Sequence, residues 1–378
     1  MRTLIRCVMA IAFSMTMTQN HNAFADTPLV FVTAYAAGEK GAIHAYQLDL
    51  ATAQLNQIHK TMDVELPYFL AVSPNNKFLY SLHTENSGDE KTEYVVAFEL
   101  VGRTGQLKFL GRQPALGTSA CYLDVDTTGR TVLVANYRAG SVASFPVRDD
   151  GSLSEASTFV QHEGSSVDPA RQEGPHAHSI VVSPDNRFAF VADLGLDQVL
   201  GYRLDAATAG LSPNAPPFVK SQPGAGPRHL TFHPNGKKIY VINELADSVT
   251  MFDYDETSGT LTPQQTISTL PKDFDGSNHC ADLKITPSGR FLYGTNRGHD
   301  SIAAYQIGDD GRLTLLSIQP SLGGSPQNLA ITGDGKLLLC ANISGNNVVV
   351  FRIDAKTGAL TSVGDPVPIT SPSCIMIR

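Results

Sequence analysis

The chain of 378 residues has no tryptophan, only five cysteines, and no long apolar run beyond its first 25 residues. Without such a run, nothing after the leader can span a bilayer as a helix, which takes about 20 apolar residues. Cys7 falls in the leader. The spacing of Cys121, Cys280, Cys340 and Cys374 fits neither a small disulfide scaffold nor a CxxC metal site, so buried free thiols are expected. An excess of positive charge is also missing: 28 Lys and Arg face 36 Asp and Glu. A nucleic-acid partner is therefore not expected, since phosphate contacts need clustered basic side chains. The sequence has no G-x-S-x-G elbow and no H-E-x-x-H, and GAGPRH lacks dinucleotide-site spacing, so no metal or cofactor is expected.

What is present starts with that leader. Arg2 and Arg6 precede an apolar run from Cys7, and Ala23-Phe24-Ala25 ends in a small-x-small pattern before Asp26. Residues 1–25 read as a cleaved secretory signal peptide and residues 26–378 as the mature domain, periplasmic or secreted, with no membrane attachment after cleavage. Gln19, Asn20, His21 and Asn22 interrupt the run too early for an anchor. Removing the leader's two arginines leaves 26 basic and 36 acidic residues, a formal charge of −10. An anionic small substrate would then need a local basic site against the overall field.

The 32 glycines and 22 prolines punctuate a repeat. PYFLAVSPNNKFLYSLH from Pro67, ACYLDVDTTGRTVLVANY from Ala120, AHSIVVSPDNRFAFVADL from Ala177, PRHLTFHPNGKKIYVINEL from Pro227, CADLKITPSGRFLYGTNR from Cys280 and PQNLAITGDGKLLLCANI from Pro326 align in register. These six copies lie roughly 45 to 57 residues apart. Each continues with a third strand, such as DSVTMFDYD, and a fourth after a turn such as TSGTL. Four strands joined by Gly, Asp, Asn and Pro turns form an antiparallel meander, and a meander of this period is a propeller blade. The ends complete the count: PLVFVTAYAAGEKGAIHAYQLDLATAQLNQI supplies three strands without a first, and SPSCIMIR supplies a first without a sequel. The expected fold is an all-β, seven-bladed propeller of four-stranded antiparallel blades, closed by pairing of its N- and C-terminal strands. His233, Asp255 and the shared turn glycines are assigned to the fold, because turn chemistry accounts for them.

In an antiparallel hairpin the start of the first strand lies beside the end of the second, so those two places in every blade share one end of the ring. Counting six residues back and ten forward from the turn proline gives Arg228 and Glu244; the preceding blade gives His178 and Leu194, and the following one Ala281 and Arg297. Several blades carry Tyr68, Cys121, Leu194 or Ile343 there. Consecutive blades four, five and six instead bring His178, Arg228, Glu244 and Arg297 to one mouth. These are the candidate catalytic residues, with His176, His229, Asp282 and His299 beside them as candidate substrate-binding residues. A ring of surface ion pairs is the structural alternative.

The runs GPHAHSIVVSPDNRFAFVADLGLD, GPRHLTFHPNGKKIYVINEL and CADLKITPSGRFLYGTNRGHDSI, with the late NVVVFRIDAKTGAL, resemble the bacterial propeller-type 6-phosphogluconolactonase family, which is related to the fungal carboxymuconate cycloisomerase. The resemblance covers residues 29–378, and GPRH, NEL and NRGHDSI are its most specific pieces. It implies a site of one His, two Arg and one Glu at a propeller mouth, matching His178, Arg228, Arg297 and Glu244. It also implies hydrolysis of a small-molecule lactone, and a monomer is expected. The familiar lactonase acts in the cytoplasm on a phosphorylated intermediate, whereas this chain carries an export signal. A non-phosphorylated aldonolactone or another organic-acid lactone fits that departure better. In such a reaction Glu244 or His178 would activate water, and Arg228 and Arg297 would hold the anionic group and the oxyanion. The alternatives are a cycloisomerase using the same residues and a non-enzymatic exported propeller that binds a ligand or partner.

Overall fold

Seven antiparallel sheets stand around a ring, six of them entered at the inner strand. The computed structural model describes residues 27–87 and 90–378, so the leader lies outside the described residues. Blade one joins the terminal strand Pro372–Ile377 to Leu29–Ala34, Ala42–Leu48 and Leu55–Thr61. Blades two to seven begin at Leu70–Val72, Ala120–Val125, Ala177–Val182, Pro227–Phe232, His279–Ile285 and Pro326–Ile331. These inner strands touch their neighbours all the way round. Closure follows from the antiparallel register Val30↔Ile377, Phe31↔Met376 and Val32↔Ile375.

Burial falls off outward along each blade. The second strands Leu29–Ala34, Thr131–Asn136, Phe188–Asp193 and Leu337–Asn342 are buried at every position, because neighbouring blades cover both faces. Outer strands such as Leu107–Pro114 are largely exposed. The core is accordingly a set of layers between blades: Phe190 and Ala192 of blade four pack on Leu230 and Val241 of blade five, and Tyr240 and Ile242 pack on Leu283 and Leu292 of blade six. Tyrosine hydroxyls tie the layers together, Tyr80 donating to Gly151 O (3.2 Å), Tyr240 to Gly311 O (2.6 Å) and Tyr293 to Gly358 O (2.8 Å).

The hairpin turns depend on one left-handed position, filled by Asn76, Gly129, Asn186, Gly236, Gly289 and Gly335 in successive blades, with φ between 57° and 73°. Asparagine and glycine tolerate that conformation best. His233 belongs to this turn chemistry: its Nδ1 accepts the Asn235 amide, so Nε2–H donates to Gly289 O at 3.0 Å in the next blade. Blade seven departs from the expected single fourth strand. Gly364 at φ 70° and Pro366, which has no N–H, split it into Leu360–Ser362 and Val367–Pro368, both paired with Asn347–Ile353.

Candidate active site

The two ends of the Arg228 hairpin meet as its register requires, with an added device. Pro227 pairs with Asn243 and His229 with Ile242, leaving Arg228 as an extra residue in a β-bulge. Bulges also fall at Cys121, His178 and Gln327, around Ser373 in blade one, and across Ala281 and Asp282 in blade six. A bulge residue leaves the strand's alternation and can be re-aimed. Six blades carry such a bulge, and in three of them its residue, Cys121, His178 or Arg228, lines the mouth.

There a cavity of about 330 Å³ opens. His178, Arg228, Glu244 and Arg297 line it together with Tyr35, Tyr68, Thr84, Glu93, Ser119, Cys121, Tyr137 and Arg171. The narrow space below, among Tyr68, Phe69, Arg228, His229 and Gln327, holds no water-sized volume. Phe69, Tyr122 and His229 meet there, with ring centroids 4.3 Å apart for Phe69–Tyr122 and 4.9 Å for Tyr122–His229.

Glu244 organises the charge. Its Oε2 accepts from Arg228 Nε (2.9 Å) and an Arg297 Nη (2.8 Å), and its Oε1 from an Arg171 Nη (2.6 Å). Burial alone would raise the carboxyl's pKa, but the guanidiniums of Arg297 and Arg228, with Arg171, hold it far below the usual carboxylate range. Burial pushes the Arg297 pKa down, yet a guanidinium remains cationic at any working pH. Three arginines against the carboxylates of Glu244 and Glu93 give the cavity a positive balance within an acidic protein.

His178 lines the same wall and is 7% exposed. Burial, then the nearby Arg228 charge, holds its pKa well below 6.5, so the ring is neutral near pH 7. Beneath Arg228 lies a fixed relay. Asp282 accepts Lys284 Nζ at 2.7 Å, Asn328 Nδ2 at 2.8 Å and the Leu329 amide at 2.9 Å, so its carboxylate stays charged and takes Nδ1–H of His229 at 2.9 Å. That tautomer leaves His229 Nε2 to accept from Arg228 at 3.2 Å, while Arg228 also donates to Ala281 O at 2.6 Å. Burial and Arg228 keep His229 neutral, with a pKa lowered to about 4.

The four residues expected to bind substrate lie off the cavity wall. His229 and Asp282 form the relay, and His176 stacks on Tyr137 with centroids 4.6 Å apart and bonds its carbonyl. His299 bonds Ser301 Oγ at 2.7 Å and meets the edge of Phe274. Neighbours in a strand face opposite ways, so sequence proximity to a wall residue does not carry a side chain into the cavity. Conversely, the six-back, ten-forward count applied to the remaining blades reaches Thr84 and Tyr137, and homologous register in blade one reaches Tyr35. Arg171 and Glu93 lie outside that count. All four described cysteines are free and buried, as the spacing implied.

A closed seven-bladed propeller with an arginine-rich, concave polar site at one mouth is a scaffold for small-molecule chemistry. The chain belongs to the seven-bladed β-propeller lactonase family, whose sequence model, described as "Lactonase, 7-bladed beta-propeller", matches residues 29–377. It is 32% identical over 346 residues to the 6-phosphogluconolactonase of Bacillus subtilis strain 168, spanning 91% of this chain and 97% of that one. Among solved structures, a Bacteroides fragilis protein superposes with a TM-score of 0.87 at 31% identity, covering 94% of this chain and 99% of the other. The periplasmic gluconolactonase of Pseudomonas aeruginosa gives 0.86 at 30% identity, covering 93% and 98%.

Proposed function

We propose that the protein hydrolyses a sugar or organic-acid lactone outside the cytoplasm, with His178 as general base and the arginine cluster as electrostatic support. The observation that carries this reading is the ionised Glu244, enclosed by three guanidiniums, beside a neutral imidazole on one cavity wall. Of the two base candidates, Glu244 is the poorer, because its oxygens are occupied and its proton affinity is suppressed. It serves better by aligning Arg228 and Arg297.

In the proposed cycle, water attacks the lactone carbonyl carbon as His178 takes its proton. Arg228, held at its back by Ala281 O and His229, faces the developing oxyanion. Collapse breaks the ring C–O bond, the leaving alkoxide takes the proton from His178, and a hydroxy acid remains. A positioned base typically contributes about a hundred- to ten-thousandfold. The hydroxyls of Tyr35, Tyr68, Thr84 and Ser119, which also line the cavity, suit a polyhydroxylated ring. The named relatives support lactone substrates, one phosphorylated and one not. The expected leader favours the non-phosphorylated kind, with gluconolactone as the simplest member.

A pH-stat assay of the mature protein on gluconolactone, its 6-phosphate and muconolactone, with Arg228→Ala alongside, tests the proposal. Acid release above the spontaneous rate, lost in the variant, is expected. Opening of every lactone at the spontaneous rate refutes it.

A further inference from the structure

Arg171 enters the cavity from outside the propeller repeat. It sits on the segment between the outer strand Thr158–Gln161 of blade three and the inner strand Ala177–Val182 of blade four. That segment is an Ω-shaped loop with both ends fixed by Asp193: His162 Nδ1 bonds Asp193 Oδ2 at 2.6 Å, and the His176 amide donates to Oδ1 at 2.7 Å. Its middle is held by Gln172, fully buried, which donates to Leu194 O at 2.8 Å and accepts the Asp168 amide at 3.1 Å. Ser166 Oγ adds a bond to Asp197 at 2.5 Å. The loop is thus a braced arm that carries Arg171 to the cavity wall, with its guanidinium on Glu244.

The three guanidiniums differ in how many of their five N–H donors the protein already uses. Arg297 directs four to His279 O, Gln327 Oε1, Glu244 and Cys280 O. Arg228 directs three, to Glu244, His229 and Ala281 O, and its side chain is 1% exposed. Arg171 directs two, both from one nitrogen, to Glu244 and to Tyr137 Oη at 3.3 Å, and its side chain is 31% exposed. Its Nε and second Nη have no protein acceptor among the described residues. Arg171 therefore keeps the open side of its planar fork for an incoming oxyanion group, at the rim rather than at the floor where His178 and Arg228 lie.

We infer that Arg171 is a substrate-binding residue that recognises an anionic substituent, carboxylate or phosphate, on the part of the lactone remote from the reacting carbonyl. This rests on the lactonase reading and adds a substrate preference: lactones bearing a second acidic group are taken over neutral ones. An anion held by Arg171 would also give a use to the cavity's positive balance within a net-acidic protein, since the local field must outweigh the overall one.

The test compares wild type, Arg171→Met and Arg171→Lys on neutral gluconolactone, on its 6-phosphate and on the carboxylate-bearing muconolactone. Titration calorimetry with gluconate, glucarate and 6-phosphogluconate adds a binding readout that needs no turnover. Arg171→Met should raise KM for the charged lactones about 10- to 100-fold, at least tenfold more than for gluconolactone, with Arg171→Lys restoring part of the loss. It should also weaken glucarate or 6-phosphogluconate more than gluconate; which one responds separates a carboxylate from a phosphate preference. Equal losses on neutral and charged ligands would assign Arg171 to holding Glu244 and overturn the inference, as would no loss on either. Wild type that opens no lactone refutes the proposed reaction; if it still prefers the dianionic acids through Arg171, the recognition role stands.

Discussion

Replacing Glu244 with glutamine perturbs stability as well as activity, and the structure sets the size. The carboxylate is 5% exposed and receives three charge-assisted hydrogen bonds, one from an arginine whose side chain is 1% exposed. Glutamine keeps one acceptor oxygen but turns an NH₂ toward guanidinium donors, leaving buried positive charge uncompensated. Removing one partner of a buried ion pair costs about 3–5 kcal/mol. With an unfolding entropy of about 2.1 cal/mol/K per residue over a domain of this length, that lowers Tm by about 4–7 °C. The pH dependence identifies the cause. The folded-state pKa of Glu244 is depressed, so its stabilisation is complete above the unfolded value near 4.5 and is lost as pH falls toward the folded value. The gap between wild type and Glu244→Gln should be constant from pH 8 to about 5 and shrink by about 2 kcal/mol between pH 4.5 and 3. Differential scanning fluorimetry across that range measures it. A variant melting within 1 °C of wild type at pH 7, or a gap indifferent to acid, would refute the charge-clasp argument.

Other outcomes follow from the same structure. His178→Asn should lower kcat by about 10²–10⁴, and unchanged turnover in that variant argues against His178 as the base; wild-type kcat/KM should stay level from pH 7 to about 5.5, because burial and Arg228 keep the imidazole unprotonated there, and an inflection at 6.5 would refute that depression. Deleting residues 372–378 removes the closing strand and exposes the edge Leu29–Ala34, so Tm should fall by at least about 10 °C or the protein should aggregate, and melting like the full chain counts against closure. Gly151→Ala places a methyl 2.2 Å from the Phe78 ring at φ 85°, which should cost about 2–4 kcal/mol and about 3–5 °C by thermal melt. Native protein should leave Cys121 and Cys374 unreactive to a disulfide reagent, since burial raises both thiols to about 12, with reaction appearing only on denaturation.

The ring was legible because the blades repeat the same small set of local demands: a left-handed turn residue, a largely buried second strand and a polar outer one. Those demands leave a period that survives low identity between copies. The meeting of Arg228 with Glu244 was legible for a related reason, since hairpin register converts sequence distance into proximity, and the same place in the next blade brings Arg297 to Glu244. The bulge was not, because nothing in PRHLTF distinguishes an extra residue from a paired one. It explains why Arg228 enters the cavity while His229 beside it goes under the floor. Arg171 was hidden more deeply. It comes from an insertion between blades, whose reach depends on Asp193 and Gln172 rather than on any period. Tyr137 and Thr84 occupied countable places but resemble ordinary strand residues until the cavity gives them a surface to face.

The bulges have an evolutionary consequence. A residue outside the strand's pairing pattern can be exchanged without altering which side chains fill the layers between blades. Three such sockets, holding Cys121, His178 and Arg228, already open on one mouth, and Ser373, Ala281 and Gln327 occupy the bulges of three further blades. Selection can therefore rewrite the recognition of a ligand one blade at a time, and test each change while the ring that bears it remains intact.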